Sequence, residues 1–149
     1  MARHVHTVNP MKIKQLIIMI PLLTLLGCAG QRPETLGIQN GQLAACPDSP
    51  NCVSSFDSRE SHSIEPIAGS LSRIKDAISA MDRVNIVEEQ DNYLYAEFTS
   101  RLMGYVDDVE FLADPANNLV HVRSASRLGH SDMGVNRKRI EAIRSAVSN

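Results

Sequence analysis

The 149-residue chain has no tryptophan, three Phe and three Tyr. Stacking platforms for sugar rings are therefore poorly supplied. Its formal charge of −2 excludes a general nucleic-acid coat protein, which would be plainly basic. Its most aliphatic run, Leu16 to Leu26, has eleven residues, short of the roughly 20 that span a bilayer. Also absent are a GxSxG elbow, an HExxH helix, a Walker-type loop and a Rossmann glycine pattern. Those absences remove the motif-level case for nucleophile-elbow, zinc-protease, P-loop and dinucleotide chemistry. Neither a cofactor nor a metal is expected. What is present reads as ordinary globular material, 43% apolar and 21% charged, neither disordered nor fibrous. The length suits one domain with one modest core.

The eleven-residue run, LIIMIPLLTLL, follows Lys12 and Lys14 and leads into Gly27-Cys28. A basic start, a short apolar centre and small residues at a cut site describe a secretory signal. A core helix would not carry Pro21 in mid-run. With Cys28 directly after Gly27, the segment resembles a bacterial lipoprotein signal with its lipobox. The resemblance implies removal of residues 1–27 and acylation of Cys28. Residues 1–10 are polar and end in Pro10, so Met11 is the expected start. Acylation implies a cell-envelope location with the membrane as a partner. Ala29, rather than Asp, follows the cysteine, which points to the outer membrane facing the periplasm in a Gram-negative host.

Residues 29–45 carry three Gly, one Pro and no hydrophobic period, which predicts a tether or loosely docked arm over 28–45. The domain is expected over 46–149. From Cys28 onward, 12 basic residues face 17 acids, a charge of −5, and ten of the 12 are Arg. Residues 28–119 carry −9 and residues 120–149 carry +4. Cys46 and Cys52 are separated by PDSPN, and an oxidising compartment favours a disulfide between them. Free thiols are an alternative. A metal reading lacks nearby ligands, and a redox reading prefers a two-residue spacing.

The apolar periods predict a helix over 70–83, started by Gly69-Ser70, and a closing helix over 136–147 with Asn136 as its N-cap. Four strands are predicted between them, over 85–89, 93–100, 104–112 and 119–127. The fold class is therefore α+β, an antiparallel meander of about four strands with helices covering its apolar face. In the last hairpin, the alternation favours Leu112 opposite Leu119, Phe111 opposite Val120 and Val109 opposite Val122. On the other face Glu110 would meet His121 and Asp108 would meet Arg123. Asp107 falls on the apolar face near Ser124, and an unpaired acid there is costly.

The densest polar stretch is Arg123 to Arg139, RSASRLGHSDMGVNRKR. A strand-to-helix turn offers backbone N–H groups to anions. Arg123, Arg127, Arg137 and Arg139 are accordingly candidates to cradle a carboxylate or phosphate. The plainer alternative is structural, with Arg127 paired to Asp132 and Asn136 capping the helix. His130, Ser131 and Asp132 are chain neighbours and point apart, so they form no triad. Asp107, Asp108, Glu110 and His121 resemble a cation cluster, but Arg123 among them repels a metal.

The blocks CPDSPNCVSS (46–55), GYVDDVEF (104–111) and RSASRLGHSDMGVNRKRIEAIR (123–144) together resemble the family catalogued as domain of unknown function (DUF) 1499. Its members look like bacterial exported or lipid-anchored proteins, with relatives in photosynthetic organisms. The resemblance marks Cys46, Cys52, Asp107, Asp108, Glu110, Arg123, Ser124, Ser126, Arg127, Gly129, Asp132, Gly134, Asn136, Arg137 and Arg139. It implies no activity. It directs attention to Asp107, which is expected in a buried polar network with Arg127 or Arg137, alongside Asp132 and Asn136. The functional expectation is a lipid-anchored protein that binds or scaffolds, with an envelope protein as partner and no nucleic acid. One alternative is a binder of a small anionic ligand at the Arg-rich turn. Another is a hydrolase using Asp107 or Asp108 with His121 or His130.

Overall fold

The computed structural model describes residues 29–148. The signal segment and Cys28 lie outside the described residues. The elements run β1 (Cys52–Ser54), β2 (Ile67–Ala68), α1 (Leu71–Ser79), β3 (Val84–Glu89), β4 (Tyr93–Thr99), β5 (Val106–Asp114), β6 (Leu119–Ser126) and α2 (Val135–Ser148). The result is an α+β fold with one antiparallel sheet in the order β1-β6-β5-β4-β3, and β2 also pairs with β6. The expected meander is β3 to β6. The sheet has six strands rather than about four, because β1 and β2 lie end to end along the outer edge of β6.

α1 forms where Leu71, Ile74, Ala77, Ile78 and Met81 recur at helical spacing. Ser70 caps it, its hydroxyl accepting the Arg73 N–H at 3.4 Å. α2 presents Ile140, Ile143 and Val147. Both helices pack on the sheet face that carries Leu94, Ala96, Phe98, Val109, Phe111, Val120 and Val122. That layer is the main core.

The last hairpin pairs two residues away from the expected register. Asp114 faces Leu119, so Leu112 meets His121, Phe111 meets Val122, Glu110 meets Arg123, Val109 meets Ser124 and Asp108 meets Ala125. The ladder continues through Ala113 and Asp114 because the turn occupies only Pro115 to Asn118. Asp114 accepts from Asn117, and Asn118 takes a left-handed φ of 52°, which Asn tolerates. A shift of two leaves every side chain on its expected face and changes every partner.

Asn136 is not the N-cap of α2. It lies one residue inside the helix and is fully buried, while Asp132 accepts the N–H groups of Gly134 and Asn136 at 3.0 and 2.7 Å. Asp132 does the capping. The segment 29–45 lies against the sheet face opposite the helices. Leu43 packs there with Tyr93, Tyr95 and Leu112, and Gly37 N–H reaches Glu110. Cys46 and Cys52 form a disulfide, beside which Arg59 donates to Cys46 O and Asp57.

Phe111→Ala removes a fully buried side chain from the centre of the core. It is expected to lower unfolding stability by about 3–5 kcal/mol, measured by chemical denaturation.

Candidate functional site

Successive residues of a strand point to opposite faces, so the Asp107-Asp108 pair of β5 divides. Asp107 enters the helix face, where the Arg139 guanidinium holds its carboxylate. Arg139 also donates to Ser124 Oγ at 3.0 Å and Asn136 Oδ1 at 2.6 Å, and its guanidinium stacks 4.9 Å from the Phe98 ring centroid. The Asn136 amide nitrogen donates to Asn51 O, Ser126 Oγ and Asp132 Oδ2. One polar cluster thus joins β5, β6, α2 and the residue before β1.

Asp108 and Glu110 enter the opposite face. Arg127 donates through Nε and Nη2 to Asp108, the shortest contact being 2.7 Å, and through Nη2 to Glu97 at 2.5 Å. Tyr95 Oη donates to Asp108 at 2.6 Å, and Arg32 donates to Glu97 at 2.7 Å. Glu110, fully buried, accepts from Tyr93 Oη at 2.9 Å, Gly37 N–H at 2.8 Å and Arg123 Nη1 at 3.1 Å. Arg123 Nε has no partner, although the residue is 4% exposed.

The four arginines read as an anion cradle do not converge. Arg123 and Arg127 lie on one face of the sheet, Arg139 reaches the other, and Arg137 donates to Ser61 O at the surface. Three of the four are neutralised by carboxylates. Arg127 pairs with Asp108 and Glu97 rather than Asp132. Asp107 does join a buried network, through Arg139 rather than Arg127 or Arg137. Asp108 and Glu110 do not converge with His121 either, which pairs across the ladder with Leu112. His130 is exposed.

His121 instead borders a cleft of about 300 Å³ with Ile38, Gln42, Phe56, Leu112 and Asp114. Phe56 stacks on the imidazole with centroids 4.2 Å apart. Ser55 Oγ lies 3.1 Å from His121 Nδ1, and Asp114 Oδ2 is 3.9 Å from Nε2. The order suggests a triad, but 3.9 Å exceeds hydrogen-bond reach. The Ser55 hydroxyl already accepts the Val122 N–H at 2.9 Å. These contacts fasten the loop after β1 to the edge of β6.

A family model described as "Protein of unknown function (DUF1499)" matches residues 42–147. The chain belongs to the DUF1499 family. No curated protein and no solved structure matches it. The positions that carry the DUF1499 resemblance fall on the two polar clusters and the disulfide, with Gly129, Gly134 and Arg137 around the turn. Sequence reasoning missed Tyr93, Tyr95, Glu97 and Arg32. The first three alternate with Leu94, Ala96 and Phe98 along β4, so their shared face was legible, though their partners were not.

Burial pushes Glu97 up, but hydrogen bonds from Arg32, Arg127 and Tyr95 outweigh it and hold the carboxyl at about 2. The Arg59 hydrogen bond likewise brings Asp57 down to about 2. Hydrogen bonding to Asp108 and Glu97 raises Arg127 despite its desolvation. Burial, reinforced by Glu110, raises Tyr93, so its hydroxyl remains a donor.

Three outcomes follow for the DUF1499 domain. Asp108→Asn leaves Arg127 short of its main counter-charge and is expected to cost about 3–5 kcal/mol. Asp108→Leu combined with Arg127→Met should cost less than the sum of the single changes, read from a double-mutant cycle. Glu97 and Asp57 have depressed folded values, so their stabilisation is present above their ordinary 4.5 and 3.8 and is lost as pH falls through about 2. Stability measured against pH should therefore decline across that window, and less steeply in Arg127→Met.

Proposed function

We propose that this DUF1499 protein is a lipid-anchored cell-envelope protein whose domain works by non-covalent binding or scaffolding. In a Gram-negative host, it sits in the outer membrane facing the periplasm. The observation that carries the binding reading is the internal engagement of the motif's charges. Arg123, Arg127 and Arg139 are paired with Glu110, Asp108 and Asp107, so the carboxylates that would perform acid–base chemistry are fixed as counter-ions. A general base needs a free carboxylate or imidazole within hydrogen-bond reach of a substrate proton. What such a domain offers a partner is shape and surface. The apolar run before Cys28 supports the anchor, and the Cys46–Cys52 disulfide suits an oxidising compartment.

Growth with an alkyne-bearing fatty acid is expected to label the wild-type protein and place it in the envelope fraction. Cys28→Ser should lose both label and fraction, and an unlabelled wild-type protein would overturn the anchor. Calorimetric titration with inorganic phosphate is expected to give no saturable heat. Saturable heat that disappears in Arg137→Ala would restore the anion-binding reading.

A further inference from the structure

Six of the seven large apolar side chains exposed among the described residues gather at one end of the sheet. Leu102, Met103 and Tyr105 belong to the β4–β5 connection, Leu128 and Met133 to the β6–α2 connection, and Val135 opens α2. Leu102 is 92% exposed and Met133 86%. The two connections adjoin, because Asp107 pairs with Ser126 and the Arg127 N–H donates to Val106 O at 3.2 Å. The seventh, Ile38, lies with Asn92 and Pro115 at the opposite end. Apolar side chains grouped in this way mark an interaction surface.

The entry point of the chain indicates the occupant. Gly30 has a left-handed φ of 68°, and a Cβ added there would come within 2.9 Å of Arg127 Cβ and 3.1 Å of Leu128 Cγ. Gly30, two residues after Cys28, therefore lies against the same tip. Two residues reach at most about 7 Å, so lipid on Cys28 places the bilayer beside these six side chains. Charge agrees with a lipid surface. Arg83, Arg101 and Lys138 are exposed around the tip, and the nearby Asp132 carboxylate is engaged by the N–H groups of Gly134 and Asn136. Asp82 is an exposed acid beside Arg83.

We propose that this tip seats on the bilayer surface, with the six apolar side chains at the headgroup–acyl boundary and the basic ones among anionic headgroups. The proposal rests on acylation of Cys28. The domain then has one fixed orientation, with the β3–β4 and β5–β6 turns and the His121 cleft directed away from the membrane.

The test uses the full-length acylated protein with Leu102→Cys or Met133→Cys, and Ala116→Cys in the far turn as the reference. Each new thiol carries an environment-sensitive fluorophore, and the protein is reconstituted in phosphatidylethanolamine–phosphatidylglycerol vesicles with or without doxyl-labelled lipid. Probes at 102 and 133 are expected to lose roughly half their emission to the quencher lipid, while the probe at 116 is unchanged. An acylated protein in which all three probes behave alike would overturn the docking and leave the anchor intact. Thiol cross-linking of 102 or 133 into dimers, without quenching, would assign the tip to a second copy and overturn it too. Absence of acyl mass on Cys28 would overturn the anchor and the docking together.

Discussion

Strand β5 carries acids into both layers of the molecule, and the rest of the domain is arranged to meet them. Asp107 faces the helices, while Asp108 and Glu110 face the other way. α2 delivers Arg139 to the first, and β6 delivers Arg127 and Arg123 to the others. The arm before the domain adds Arg32 to Glu97 and a backbone N–H to Glu110. Buried ion pairs are weak evidence of net stability, because desolvation offsets much of their attraction. Their stronger effect here is on register. On the apolar face the expected register would give Val109–Val122 and Phe111–Val120, whereas the observed one gives Val109–Ser124, Phe111–Val122 and Ala113–Val120, so that face alone does not select the observed pairing. On the opposite face, the observed register brings Glu110 to Arg123 and leaves Arg127 free to reach Asp108.

The uneven charge along the chain has the same origin. The acidic body and the basic final segment meet across the sheet, and the Arg preference fits fork-shaped contacts to planar carboxylates. Arg127 satisfies two carboxylates and a tyrosine oxygen with two of its nitrogens. A Lys there would have one nitrogen for the same acceptors.

Features set by local periodicity were legible before any coordinates. Ile74 and Ile78 announce α1, Ser70 its start, and Leu94, Ala96 and Phe98 the buried side of β4. The disulfide followed from spacing and compartment. Features set by distant contacts were not legible. β1 and β2 have three and two residues, too few for a period, and exist because β6 offers an open edge. The docking of residues 29–43 depends on Leu43 meeting Tyr93, Tyr95 and Leu112, three side chains some fifty or more positions away. The Arg-rich block misled in a different way. Its members are close in sequence, but strand alternation and the helix wheel send them to separate faces, so closeness along the chain did not become closeness in space.

Under the proposed acylation of Cys28, the docked arm changes what attachment to a membrane means for this domain. A free linker of seventeen residues would let it roam a hemisphere tens of ångströms in radius and meet partners well out from the lipid. With the chain held at Gly30, that volume collapses to a thin layer at the surface. The domain becomes a tile rather than a balloon on a string. Encounters are then two-dimensional: a partner must itself lie in the membrane plane or come down to it.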